Sequence, residues 1–199
     1  MTLDELFYKG KMTMKSFELE IKQLITKEVY NFKLSELIKL SSSENFVQVN
    51  YYYDTPEYDI FNKNETLRIR LKDSGLKLER KCNNYYINDT RVCEEYSRHI
   101  DFLPQSIIID HNHLNLIGCM VTARTNFKFD NCVISLDKNY YLGKIDYEIE
   151  IESNEVVNIP IQLSNIINHE EITPGKYTRF ISTLNDIKKC DTYRVESYF

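Results

Sequence analysis

Four segments of the chain alternate apolar and polar residues one by one, and their polar positions are charges grouped by sign. In 17–23, Phe17, Leu19 and Ile21 alternate with Glu18, Glu20 and Lys22. Leu67, Ile69 and Leu71 alternate with Arg68, Arg70 and Lys72, and Leu76 and Leu78 with Lys77, Glu79 and Lys81. In 146–152, Tyr147, Ile149 and Ile151 alternate with Asp146, Glu148, Glu150 and Glu152. A period of two predicts strands with one apolar and one charged face. Weaker patterns at 45–54, 91–98, 118–129 and 132–138 bring the expected strands to eight. The short links at 72–75 and 130–131 make the arrangement mostly antiparallel.

Helices are expected between them. Residues 27–40 carry Val29, Phe32, Leu37 and Leu40 at helical spacing behind Thr26, a good N-cap. Residues 105–116 and 160–169 also read as helical. Residues 177–189 place Phe180, Ile181, Leu184 and Ile187 on one face after Pro174-Gly175. No repeat or linker divides the 199 residues, so one domain over 16–199 is expected behind an N-terminal extension at 1–15.

Composition excludes several classes. With 42% hydrophobic and 28% charged residues the chain is globular, and no apolar run approaches the roughly 18 residues of a membrane-spanning helix. Met-Thr-Leu-Asp-Glu-Leu lacks a signal peptide's basic start and apolar stretch, which predicts a cytoplasmic protein without membrane partners. Five scattered cysteines without a Cys-x-x-Cys pair read as small buried hydrophobes. A net charge of -5 argues against a nucleic-acid duplex as partner. Five glycines and no glycine-rich phosphate loop exclude a P-loop nucleotidase.

Charged faces can meet water or line an interior, and the distribution of sign bears on which. A solvated sheet face ordinarily mixes signs. Here the first and last strands are acidic and the middle ones basic (Arg68, Arg70, Lys77, Lys81, Arg124). Carboxylates crowded on one strand face repel unless a cation lies opposite. The economical arrangement is an inverted barrel, with charges lining the interior and apolar faces packed outward under helices. Such a cavity suits an anion bridged to a divalent metal, since carboxylates hold Mg2+ while Arg and Lys grip phosphate.

Glu18-Leu19-Glu20-Ile21-Lys22 resembles the Glu-x-Glu-x-Lys signature of the CYTH superfamily, the triphosphate tunnel metalloenzymes. Tyr53-Asp54-Thr55-Pro56, Leu67-Arg68-Ile69-Arg70, Thr122-Ala123-Arg124, Leu136-Asp137, Asp146-Tyr147-Glu148-Ile149-Glu150 and Gly175-Lys176-Tyr177-Thr178-Arg179-Phe180 follow in the family's order. The resemblance spans about residues 16–182. It implies an α+β fold: an eight-stranded antiparallel barrel, a tunnel open at both ends with a charged lumen and helices outside. It also implies metal-facing carboxylates at Glu18, Glu20, Asp137, Glu148 and Glu150, and triphosphate-holding cations at Lys22, Arg68, Arg70, Lys81, Arg124 and Lys176. Glu18, Glu20, Lys22, Glu148 and Glu150 would form the catalytic set. The implied activity is Mg2+- or Mn2+-dependent hydrolysis of a small-molecule triphosphate by a monomer or homodimer. Inorganic tripolyphosphate comes first, then nucleoside or thiamine triphosphate. Crowded carboxylates should include raised pKa values before metal binds. The alternatives are an adenylate cyclase on the same barrel and a non-enzymatic polyphosphate or nucleotide binder.

Other features have simpler readings. Glu94 resembles the family's mid-barrel glutamate, with Glu95 adjacent and their parity open. Glu79 stands where the family usually carries a neutral residue, and pairing with Lys77 or Lys81 is its simplest role. Glu152 continues the acidic face toward a tunnel mouth. His111 and His113 read as a solvated loop or helix edge, Tyr51, Tyr52 and Tyr53 as packing, and Lys188 and Lys189 as a helix C-terminal charge pair.

Overall fold

All eight alternating segments are strands. The structure, a computed structural model, describes residues 14–73, 75–87, 90–109, 111–153 and 173–196. The elements are β1 (Met14–Ile25), α1 (Lys27–Leu40), β2 (Ser43–Asp54), α2 (Asp59–Asn62), β3 (Thr66–Lys72), β4 (Gly75–Ile87), β5 (Thr90–Ile100), β6 (Ser106–Ile109), β7 (Asn112–Lys128), β8 (Cys132–Tyr141), β9 (Lys144–Ser153) and α3 (Lys176–Glu196). Neighbours run β2-β3-β4-β5-β1-β9-β8-β7, and β7 pairs back onto β2, closing an eight-stranded antiparallel barrel. Closure leaves the ring without an unpaired edge. The helix expected at 160–169 and residues 1–13 lie outside the described residues.

The apolar faces do point outward. Ile21, Ile134, Leu136, Ile149 and Ile151 are buried with Leu37 of α1. Thr26 caps that helix, its hydroxyl accepting from the Val29 amide at 3.3 Å. The packed stripe is Tyr30, Leu34 and Leu37, at i, i+4 and i+7, whereas Val29, Phe32 and Leu40 are exposed.

On the opposite flank Tyr53, Leu67, Ile69 and Leu78 are covered by Ile60 of α2 and by Ile107 and Ile109 of β6. Residues 105–116 are therefore not helical. Residues 106–109 form β6 and 112–116 the start of β7, hydrogen-bonded to each other outside the ring. Pairing settles the ambiguity, because alternate residues Ile107 and Ile109 are buried and Ile108 is not. His111 occupies the turn with φ 64°, and His111 and His113 are exposed.

α3 covers part of one barrel end. Tyr177, Phe180 and Ile181 pack on Tyr52 and Met120. Phe61, Asn64, Glu65, Tyr86 and Tyr177 line the cavity together with the lumen charges. β7 makes room at Gly118, whose φ is +148° and where a Cβ would lie 2.6 Å from the Phe180 ring. The β2–β7 register shifts beside it, between Tyr52 and Tyr53. α3 continues past Lys188 and Lys189, which are mid-helix rather than at its end, and Lys188 donates to the Tyr58 hydroxyl at 2.6 Å. All five cysteines are free. Cys82, Cys93 and Cys132 are buried, but Cys119 and Cys190 are exposed. Among the described residues no helix is long and apolar enough to cross a membrane.

Candidate active site

Strand register determines which charges meet in the lumen. β1 lies between β5 and β9, so Glu20 faces Arg91 on one side and Glu152 on the other, while Lys22 faces Glu150. Arg68 lies opposite Glu79 and Arg70 opposite Lys77 across β3–β4. Asp137 on β8 lies between Arg124 and Glu148. The lumen cavity, about 340 Å³, is lined by Glu18, Glu20, Lys22, Arg68, Arg70, Lys81, Arg124, Glu150 and Lys176. Asp137 and Glu148, the remaining expected site residues, are fully buried in its wall.

Three of the expected metal-facing residues converge. Asp137, Glu148 and Glu150 offer carboxylate oxygens all within 4.8 Å of one another. The Lys176 ammonium sits among them, 2.8 Å from Asp137 Oδ2, 2.8 Å from Glu148 Oε2 and 2.5 Å from Glu150 Oε1. Arg124 forks onto Asp137, with Nε 2.7 Å from Oδ1 and Nη2 2.6 Å from Oδ2, and also donates to Glu150. Arg179 donates through Nη2 to Glu148 Oε2 at 2.7 Å, through Nε to Asp146 at 3.0 Å and through Nη1 to the Pro174 carbonyl at 2.6 Å. Glu148 Oε1 is buried without a hydrogen-bond partner. Three hard oxygen ligands and one uncommitted buried oxygen fit a divalent cation such as Mg2+ or Mn2+.

The electrostatics follow from this packing. Burial by itself would raise Glu150, but Lys176 and Arg124 outweigh it and hold the carboxyl well below its ordinary range. The raised carboxylate expected of an acidic cluster is Glu152, pushed up by burial and then by Glu18 and Glu150. Glu18 and Glu20 stand apart from the three-carboxylate group in this state. Glu18 is bound to Lys81, and Glu20 to Arg91 and, at 2.6 Å, to Lys22. Of these cations only Arg91 lies opposite Glu20 in register; Lys22 is two residues along β1, and Lys81 reaches across from β4.

The basic wall has its own centre. Glu79 is 1% exposed and accepts from Arg68 Nε at 2.7 Å, with Lys77 at 3.4 Å and Arg70 at 3.5 Å. Its pairing with Lys77 is as expected. The arginines, not Lys81, are its other partners, because Lys81 reaches Glu18 instead and lies 3.6 Å from Glu95. Burial would raise the Glu79 carboxyl, but Arg68 and Arg70 bring it down to about 2. Arg70 is lowered by burial and by Arg68 beside it, so an added anion would be favoured there. Its Nε donates to Asn50 Oδ1 at 3.1 Å, and the buried Asn50 Nδ2 has no hydrogen-bond partner.

With this geometry established, comparison with known proteins is informative. Residues 16–167 match the model of the CYTH domain. The chain belongs to the CYTH domain family. A Bacillus subtilis (strain 168) protein, YjbK, provisionally named a triphosphatase, is 27% identical over 147 residues, 68% of this chain and 77% of that protein. A provisionally named adenylate cyclase from Bacillus halodurans superposes with a TM-score of 0.63 at 22% identity, covering 83% of this chain and 98% of that one. A Hippeastrum protein, described as a candidate adenylyl cyclase with a dominant triphosphatase activity, gives 0.65 at 20% identity over 83% and 95%. At those identities the two structures share the CYTH fold and establish nothing more.

Several lumen residues of this CYTH domain escaped the sequence reading. Glu95, not Glu94, lines the cavity; Glu94 accepts outside it from Asn83 at 3.1 Å and from Tyr96 at 2.9 Å. Arg91 binds Glu20 and donates to Asn84 at 2.6 Å. The available signal was the alternation Arg91, Cys93, Glu95, Ser97, masked by an uncharged cysteine at its second position. The Cys93 thiol is 3.3 Å from Glu18 and pushed up to about 12, chiefly by burial. Arg179 was visible only as part of a motif. Tyr52 and Tyr53 are fully buried, in keeping with packing.

Proposed function

We propose that this CYTH domain is a divalent-metal-dependent triphosphatase, with inorganic tripolyphosphate its first candidate substrate and nucleoside or thiamine triphosphate next. One observation carries the reading: a barrel lumen in which Asp137, Glu148 and Glu150 converge opposite Arg68, Arg70 and their neighbouring cations. The name of the Bacillus subtilis relative is consistent with it.

Phosphoryl transfer concentrates charge on the attacking and leaving oxygens, so catalysis is mostly positioning and electrostatic stabilisation. Arg68, Arg70 and Arg124 present planar guanidinium forks that match phosphate oxygens, while Lys22, Lys81 and Lys176 act as point charges. Asp137, Glu148 and Glu150 would hold Mg2+ or Mn2+, with Glu18 and Glu20 on the adjoining strand. When bound, the metal supplies Lewis-acid polarisation of a phosphoryl oxygen. The barrel wall limits access of bulk water, which strengthens every charge interaction inside.

Phosphate release from tripolyphosphate, ATP, thiamine triphosphate and pyrophosphate, each with and without metal, tests the proposal. Metal-dependent release from a triphosphate is expected, together with a rise in Tm on adding metal and tripolyphosphate that weakens in high salt. Cyclic nucleotide and pyrophosphate from ATP would favour a cyclase. Binding without turnover of any triphosphate would favour a polyphosphate or nucleotide binder.

A further inference from the structure

The Lys176 ammonium occupies the centre of the only group of three carboxylates with metal-like spacing among the described residues. An ammonium has three N–H donors and no acceptor. It donates to Glu150 Oε1 at 2.5 Å and forms ion pairs with Asp137 Oδ2 and Glu148 Oε2, each at 2.8 Å. The same contacts commit one oxygen of each acid, leaving Glu148 Oε1 as the uncommitted buried one. Arg124 and Arg179 supply two further positive charges to the same three carboxylates. The cluster is neutralised before any metal arrives, and a dication added beside Lys176 would leave a buried excess of positive charge.

We propose that Lys176 is a resident counterion that fills the metal's place in the free protein and gives it up when a triphosphate takes the ammonium. The proposal rests on the triphosphatase reading above. Metal and triphosphate then bind interdependently: free metal meets a filled cluster, and triphosphate, by drawing the ammonium into the cavity that Lys176 also lines, releases the carboxylates. The side chain can make this exchange without moving α3. Tyr177, Phe180 and Ile181 hold the helix against Tyr52 and Met120, and the lysine stem has four rotatable bonds.

Calorimetric titrations with two probes, Mn2+ alone and tripolyphosphate alone in EDTA, compare the wild type with Lys176→Met. The substitution should move the two affinities in opposite directions: Mn2+ binding tighter by about tenfold or more, tripolyphosphate weaker by a similar factor. Mn2+ binding that is no tighter in Lys176→Met overturns the proposal. Should Lys176→Met not fold, the wild type decides alone by thermal shift. A shift with both ligands that exceeds the sum of the separate shifts supports the exchange; additive shifts overturn it. Tight, independent binding of Mn2+ and tripolyphosphate with turnover would overturn the exchange and leave the triphosphatase reading intact. Failure of tripolyphosphate to bind or turn over under any condition would remove both.

Discussion

On the β8–β9 side of the lumen three carboxylates, Asp137, Glu148 and Glu150, close on one ammonium, Lys176. On the β3–β4 side three cations, Arg68, Arg70 and Lys77, close on one carboxylate, Glu79. The two clusters are opposite in sign but differ in tightness and origin. Contacts around Lys176 are all 2.5–2.8 Å, whereas two of the three around Glu79 are 3.4 and 3.5 Å. Glu79 and its cations come from one hairpin, with Arg68 and Arg70 directly across from Glu79 and Lys77. The acidic cluster is completed by α3, from a distant part of the chain, through Lys176 and Arg179. Half of the lumen is thus assembled locally, and the other half only when the last helix docks.

The largest effect should come from the acidic side. Glu148→Gln and Glu150→Gln each remove a charge at nearly constant shape, so metal-dependent phosphate release should fall by about 100-fold or more with the fold intact by circular dichroism. Wild-type turnover by both variants would strip this side of a catalytic role.

Glu79→Gln breaks the basic side. It leaves Arg68 and Arg70 buried without their shared counterion, at a cost of about 3–5 kcal/mol in denaturant unfolding. It also frees both guanidinium groups, so tripolyphosphate should bind more tightly. Glu79 is depressed to about 2, below its unfolded value of about 4.3, so the ion pair stabilises fully above that unfolded value. Its contribution fades as pH falls toward about 2. The stability gap between wild type and variant should therefore be flat near neutrality and narrow below about pH 4. A gap undiminished in acid would show that the loss is not ionic.

A smaller loss is expected at the seat of α3. Asp54 accepts from the amides of Thr55, Ile60 and Phe61 at 2.8–3.0 Å and from the Tyr177 hydroxyl at 2.5 Å. Asp54→Asn turns one acceptor into a donor facing the Phe61 amide, at a cost of about 1–3 kcal/mol. If the acidic side depends on docking, the variant should bind Mn2+ alone no more weakly than the wild type while its affinity for tripolyphosphate falls. Equal changes would erase the distinction between the two sides.

The smallest effects come from two glycines. Gly118→Ala puts a Cβ into the Phe180 ring at an unfavourable backbone angle, and about 1–2 kcal/mol of lost stability is expected. Gly75→Ala, at the β3–β4 turn, meets only the Lys72 carbonyl at 3.8 Å and should be near neutral in the same unfolding measurement.

Much of this molecule was legible in the sequence because the informative patterns are local. Alternation is a two-residue property of a strand, so Glu18, Arg68, Arg70, Glu79 and Glu150 announced both their strands and their shared face. Segregation of sign by strand favoured charged faces that point inward, and the barrel bears this out. The helix at 27–40 and its Thr26 cap were readable too, but its packed face was not: of Val29, Phe32, Leu37 and Leu40 only Leu37 is buried.

What alternation cannot supply is register, and register chooses partners. Adjacent Glu94 and Glu95 fit either parity until Lys81 comes to lie opposite Glu95. Residues 105–116 could satisfy a helix or a hairpin until β7 offered β6 a partner edge. Lys81 reached Glu18 instead of Glu79, and Glu18 and Glu20 were drawn to cations and away from the other acids. The sequence determined the strands, their faces and the sign of each wall. Only the tertiary structure decided that Lys176 and Arg179 complete the acidic wall, because long-range charge pairing depends on how the ring closes and where the final helix docks.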